Sequence, residues 1–265
     1  MRAFRIAYDG RPFHGFQRQP DVETVADAIL DALLDIGVAF ERGTPPGYAA
    51  AGRTDAGVSA LAQTVAFEAP EWLTPAAFNS ELPADVRAWA AADAPPDFHA
   101  THDATERGYT YHLYAPEAAL PRARKAAAAL AGEHDFHNLT PDETGTVRDL
   151  AASVERDGAF LVCRFRADGF ARQLVRRLVT VLASVAIGDR GLDRVERVLS
   201  PEPLEGPDGV APAPPYPLVL TDVVYPELSF EVDEDAAASA REVFDQRQRE
   251  WAARARVAST IRGGI

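Results

Sequence analysis

The sequence predicts an α+β fold, and three observations carry that prediction. Short β-branched or alternating apolar runs recur from Phe4 to Tyr225, bounded by Gly, Pro and Asp turn signals. Stretches with apolar residues at helical spacing lie between them. The first hundred residues read strand–helix–strand–helix–strand, an order that implies a mainly antiparallel sheet covered by helices.

The elements follow in order. Phe4-Arg5-Ile6-Ala7-Tyr8 alternates as a strand and stops at Asp9-Gly10-Arg11-Pro12. Thr24 is an N-cap for a helix with Val25, Ile29, Leu33 and Ile36 on one face. Gly43 to Gly47 is a loop, Leu61 to Phe67 a strand, Glu71 to Phe78 opens a second helix after Thr74-Pro75, and Val86 to Ala90 is a returning strand. Pro95-Pro96 marks a boundary, so we expect an N-terminal half at 1–100 and a C-terminal half at 101–265. In the second half, Arg107 to Tyr114 is a strand, with Tyr109 and Tyr111 on one face. Pro121 to Ala131 is a short helix, and Val147–Val154 with Phe160–Arg166 is a hairpin around Asp157-Gly158. Phe170 to Ile187 is a long helix burying Leu174, Leu178, Val181 and Val185. A Pro/Gly-rich loop from Pro201 to Pro217 precedes the strand Leu218–Tyr225, and Asp233 to Val257 forms a closing helix. The halves are loosely similar α+β units without a visible internal repeat.

Composition narrows the function classes. A chain of 265 residues, 47% hydrophobic and 9% aromatic, can bury one large or two ordinary cores. No run of 18 apolar residues occurs, which argues against a membrane span. The amino terminus reads as a strand without a signal peptide's apolar centre, and Cys163 is the only cysteine. Both point to a cytoplasmic protein. The net charge is −13, and of the 27 basic residues only Lys125 is a lysine. Acidic excess with so little lysine points to adaptation to very high salt, where the Debye length falls to about 3 Å at 1 M, and so to a halophilic, archaeal source. Acidic drift in a GC-rich genome is the rival explanation. Arg164, Arg166, Arg172, Arg176 and Arg177 form a local basic cluster suited to phosphate.

The most informative segment is Ala51-Gly52-Arg53-Thr54-Asp55-Ala56-Gly57-Val58-Ser59-Ala60. Gly52 and Gly57 allow sharp bends or close approach to a ligand. If Arg53 and Asp55 share a cleft, the guanidinium holds the carboxylate ionised as a nucleophile or base. Turn chemistry alone also accounts for Thr-Asp-Ala-Gly, since Asp bonds its own backbone and Gly takes positive φ. His134 and His137 have a possible metal spacing but lack the company a zinc site needs, so no metal is expected. No GxGxxG or GxxxxGK[ST] is present, so nucleotide hydrolysis is unsupported.

Gly52-Arg53-Thr54-Asp55-Ala56-Gly57-Val58 resembles the signature of the TruA-type tRNA pseudouridine synthases. Further blocks agree in the family's order. They are Tyr8-Asp9-Gly10 with Phe13, Gly15, Phe16, Gln17 and Gln19; Phe78 to Pro83; Asp97-Phe98-His99-Ala100; and Arg107-Gly108-Tyr109-Thr110-Tyr111. Gly132 to Phe136, Val175-Arg176-Arg177, and Leu218 to Pro226 complete the set. The resemblance spans residues 4 to 226.

It implies the pseudouridine synthase fold, two similar α/β-sandwich halves flanking a central RNA-binding cleft, and a homodimer. It implies isomerisation of uridine to pseudouridine in the tRNA anticodon stem-loop, at positions 38 to 40. That reaction moves C1′ from N1 to C5 of one uracil, so no redox cofactor is needed. The target base must leave its stack, at a cost of a few kcal/mol. By resemblance Asp55 is the nucleophile, attacking C6 or C1′ or assisting a glycal route. Arg53 pairs with it and displaces or holds the nucleotide, and Tyr109 stacks on the extruded uracil. Tyr111 stays a core residue. Arg176 matches a basic position near the carboxylate, with Arg177 as its competitor. Leu218 packs against the base, while Asn79, Gln17 and Gln19 line the pocket, bind RNA or satisfy backbone.

The chain departs from the family pattern at Ser59, where histidine is usual, at Pro217, where glycine is usual, and at His137, where a small hydroxyl residue is usual. The connection from Tyr114 to His134 is short. The rival readings are the same chemistry on another tRNA site or RNA, and a non-catalytic tRNA-binding protein or chaperone.

Overall fold

A computed structural model describes residues 1–41, 43–204 and 206–265. The N-terminal region comprises strand β1 (Arg2–Tyr8), helix α1 (Val25–Asp35), β2 (Ala49–Ala50), β3 (Ser59–Phe67), α2 (Pro75–Phe78) and β4 (Val86–Asp93). It continues with β5 (Glu106–Tyr114), α3 (Leu120–Leu130), β6 (Gly132–Asp135), β7 (Val147–Asp157) and β8 (Phe160–Ala167). The last elements are α4 (Leu174–Ile187), α5 (Asp193–Val198), β9 (Leu218–Val224), β10 (Glu231–Val232) and α6 (Glu234–Gly263).

Nine strands run side by side in the order β10-β4-β1-β3-β9-β5-β8-β7-β6, and β2 adds to β3. The expected α+β class with a mainly antiparallel sheet is borne out. Among the described residues the one parallel contact is β3 with β9, at Ser59↔Val219 and Ala60↔Leu220. This short seam sits at the middle of the sheet. Parallel strands this close need a long connection, and here 150 residues intervene.

Local chemistry sets most boundaries. Thr24 and Asp27 form a reciprocal capping box that starts α1. Helix α2 opens at Thr74-Pro75 as expected, with Thr74 as its N-cap and Pro75 just inside. Helix α4 starts at Leu174 rather than Phe170, since Gln173 takes a left-handed conformation at φ 61° that breaks the helical path. Helix α6 starts as expected, with Asp233 capping the Ala236 N–H, and runs past Val257 to Gly263. Its Ala, Arg and Gln content favours helix without help from packing. The elements β2, β6, α5 and β10 were not anticipated; each is too short to show a periodicity.

Two apolar cores lie along the sheet. The first packs α1 on β1, β3 and β4, with Phe4 stacked on Phe67 at 5.4 Å and edge-on to Phe78. The second packs α3 and α4 on β5, β7 and β8, and buries Leu174, Leu178, Val181 and Val185 as their spacing predicts. Each such side chain contributes about 1.5–3 kcal/mol of burial. Strand β9 joins the two, with Leu220 and Val223 in the first core and Leu218 in the second. Buried Arg5 fastens this join: its guanidinium donates to the Val223 and Ala62 carbonyls and to Thr64 Oγ1. Helix α6 returns to the first half and packs on β4.

Candidate active site

The signature segment is a loop between β2 and β3, held in place from three sides. From the first loop, the Phe16 N–H donates to the Thr54 carbonyl and the Gly57 N–H donates to the Phe13 carbonyl. Tyr8 Oη and Thr54 Oγ1 lie 2.7 Å apart in the interior. Gly10 passes so close that a Cβ there would sit 2.0 Å from the Val58 carbonyl oxygen. The Tyr-Asp-Gly block is therefore a brace for the signature loop. Ser59, the first departure from the pattern, contributes to the brace, because its Oγ accepts from the Gly10 N–H at 3.0 Å.

From below, buried Gln63 donates to the Gly52 carbonyl at 2.9 Å. From β5, Arg107 reaches the start of the loop. Its guanidinium donates to the Ala51, Thr101 and Asp168 carbonyls. Arg107 is thus a clamp on backbone, a role the sequence reading did not assign. Its position in the basic-x-Tyr-x-Tyr block was the available signal. Gly57 needs its φ of 80°, as expected. Gly52 does not have a positive φ, and a Cβ there would meet only ordinary contact.

Asp55 emerges from this loop, partly exposed, and its carboxylate accepts from Arg176 Nη1 at 2.9 Å. Arg176 lies on the first turns of α4, where its side chain is 13% exposed. Its Nε donates to the Ala213 carbonyl, whose own N–H donates back to the Arg176 carbonyl. The guanidinium is thereby aimed before any ligand arrives. Arg177, the competitor for this place, instead donates to the Val210 carbonyl and to Gln173. Adjacent helix positions differ by about 100°, so only one of the two can face the carboxylate.

The expected pairing of Arg53 with Asp55 is corrected. Arg53 is exposed and has no ion pair or hydrogen bond among the described residues. Side chains two apart on an extended loop need not converge, and the partner comes from another element. Arg53 therefore presents its guanidinium to solvent.

Tyr109 sits half-buried on β5, edge-on to Phe170 with ring centroids 5.2 Å apart. Burial, aided by the Asp55 carboxylate and opposed by Arg107, pushes its phenol up to about 12. At neutral pH the hydroxyl is protonated, able to donate and to pass a proton. Tyr111 is buried in the second core, as expected. Leu218 opens β9, opposite Tyr111, and is buried as well. The proline-rich segment before it belongs to the site: Val210, Ala211 and Ala213 bond to α4, and Pro215 lies against Gly57. Its Pro/Gly-rich composition predicts only a loop.

Two further candidates are placed elsewhere. Asn79 spends its amide on Ala88, donating to the carbonyl and accepting from the N–H, both at 2.8 Å. The backbone-satisfying alternative is the one observed. Gln17 is exposed on the bracing loop, and Gln19 donates to the His14 carbonyl. His134 Nε2 lies 3.0 Å from the Ala131 carbonyl, whereas His137 lies 3.3 Å from Asp135, so the two rings have separate partners. The basic cluster is largely neutralised. Arg164 pairs with Glu155, Arg166 with Glu106 and Asp222, and Arg172 with Asp142.

Residues 126–226 match a family model described as tRNA pseudouridine synthase. A protein named tRNA pseudouridine synthase A from Haloarcula marismortui is 62% identical over 275 residues, covering all of both chains. One of the same name from Natronomonas pharaonis is 64% identical over 98% of each chain. Another from Archaeoglobus fulgidus is 36% identical over 92% of this chain and 91% of its own. The expectation of a halophilic archaeal source accords with the first two. With identity at this level over the whole length, the chain belongs to the tRNA pseudouridine synthase family.

Proposed function

We propose that this chain isomerises uridine to pseudouridine in the tRNA anticodon stem-loop, at positions 38 to 40, with Asp55 as nucleophile. The observation that carries the reading is the Asp55 carboxylate, partly exposed to solvent and fixed by Arg176. In the reaction the C1′–N1 bond breaks, C1′–C5 forms, the C5 hydrogen leaves as a proton, and N1 gains one. Arg176 holds the Asp55 carboxylate in place through their 2.9 Å contact, and Tyr109 stacks on the extruded uracil and carries a proton during rearrangement. Leu218 supplies the apolar wall, and Arg53 takes the place of the flipped nucleotide or holds its phosphate. Gln17 contacts RNA from the bracing loop. The enzyme works as a cytoplasmic homodimer; among the described residues no helix is long and apolar enough to cross a membrane.

Tritium release from tRNA carrying [5-³H]uracil tests the reading, with wild type and Asp55→Ala compared at high salt. Release by wild type alone supports it; no release by wild type, or equal release by both, overturns it. Mapping pseudouridine in the product separates positions 38 to 40 from other sites.

A further inference from the structure

The net charge of −13 leaves open what on this molecule holds a polyanion, because the expected basic cluster is paired with its own carboxylates. The end of α6 has the opposite character. Its first turns pack on β4 through Ala236, Ala237 and Ala240, but every residue after Trp251 is exposed. From Trp251 to Gly263 the helix projects about 18 Å at 1.5 Å per residue. This stretch holds Arg254, Arg256 and Arg262, and all 40 acidic residues of the chain precede it. The last ion pairs on the helix are those of Arg247 with Asp85 and Glu250; the three arginines beyond meet no carboxylate among the described residues.

The root of this projection rests on the active-site brace. Arg11 lies over the Trp251 ring at 3.8 Å and is gripped by Asp9. Arg247 pairs with Asp85 at 2.8 Å, and the Asp85 carbonyl accepts from the Asp9 N–H. The next residue, Gly10, abuts Val58 in the signature loop. The root of the arm therefore rests on the segment that braces the Asp55 loop.

We propose that residues 252–263 form a basic arm that binds the phosphate backbone of the tRNA outside the reacting nucleotide. This inference rests on the function proposed above. Arginine suits the task in strong salt, where attraction at a distance is screened and direct bidentate contact persists. The exposed Val257 and Ile261 leave a second copy of the chain as the competing occupant. The charge favours RNA: a phosphate backbone complements three unpaired arginines.

The test compares tRNA affinity across a potassium chloride series for the full chain, for R254Q/R256Q/R262Q, and for the same three positions changed to lysine. Circular dichroism and sedimentation monitor fold and mass. For the glutamine variant we expect unchanged fold and mass, unchanged kcat at saturating tRNA, and affinity lower by about tenfold at the lowest salt at which the protein stays folded. The slope of log affinity against log salt should flatten by about 0.7–0.9 per lost contact. The lysine variant should recover most of that slope. Unchanged affinity and slope overturn the proposal, and so does a change confined to sedimentation, which assigns the arm to a protein contact. Wild type that binds tRNA but releases no tritium refutes the catalytic reading, while the binding comparison still decides the arm.

Discussion

Asp55 and Arg176 are 121 positions apart in sequence and 2.9 Å apart in space. Their contact closes the seam between the signature loop and α4. The two groups are unequally fixed, since Arg176 is also anchored to Ala213, whereas the Asp55 carboxylate is held by this guanidinium alone among the described residues. Such an arrangement presets the electrostatics and leaves one carboxylate oxygen open for chemistry.

Replacing Arg176 by lysine should lower kcat by about 10²-fold or more, because one ammonium cannot serve both Ala213 and Asp55 in the guanidinium's plane. Arg177→Lys should keep kcat within a few-fold, since its bonds go to Val210 and Gln173. Single-turnover tritium release on both variants checks this. Equal losses would remove the distinction drawn between the two arginines.

Arg53→Lys should keep the Asp55 contact, the fold and the melting temperature, since Arg53 takes no part in any of them. Its cost should fall on kcat/KM for tRNA, through weaker contact with the displaced nucleotide or its phosphate. Thermal melting beside steady-state kinetics reads the two effects separately, and a lowered melting temperature with normal kinetics would contradict the assignment.

Arg107→Met should lower stability by about 2–3 kcal/mol, the cost expected when several backbone carbonyls lose a charged donor. Activity should fall with it, because Ala51 anchors the start of the signature loop. Denaturant unfolding at fixed salt gives the first quantity, and unchanged midpoints would show that the clamp contributes nothing.

Gly10→Ala places a methyl 2.0 Å from a backbone oxygen that cannot swing aside. Either the brace or the signature loop must move. We expect a loss of at least 1–3 kcal/mol, in the range of about that size for overpacking, and a larger proportional loss of turnover. A variant with wild-type melting and wild-type kcat would show that the close approach is dispensable.

Alkaline titration should reveal the buried tyrosines. Burial pushes Tyr109, Tyr111 and Tyr225 up to about 12, and raises Tyr8 and Tyr48 as well. A phenol raised in the folded state favours folding fully below its unfolded value near 10, and that contribution disappears as pH rises through the folded value. Tyrosinate absorbance at 295 nm from these side chains should therefore appear above about pH 11, together with loss of circular dichroism. Ionisation of all tyrosines near pH 10 in a folded protein would contradict their burial.

Much of this molecule was legible in the sequence. Turn chemistry and apolar periodicity act over a few residues, so β1, α1, β5, α3 and the buried face of α4 could be read directly. The ordered motif blocks carry the family resemblance and, through it, point to Asp55, Arg176 and Tyr109 as site residues. What the sequence could not decide was which charges meet. Arg53 is two residues from Asp55 and does not pair with it, while Arg176 arrives from another helix and does. Asn79 turned out to serve Ala88, Arg107 to serve Ala51, and the arginine cluster to serve its own carboxylates. Each of these outcomes depends on a contact between strands or helices far apart in the chain. Secondary structure records local preference, but an electrostatic partner is fixed only when the sheet closes at β3 and β9.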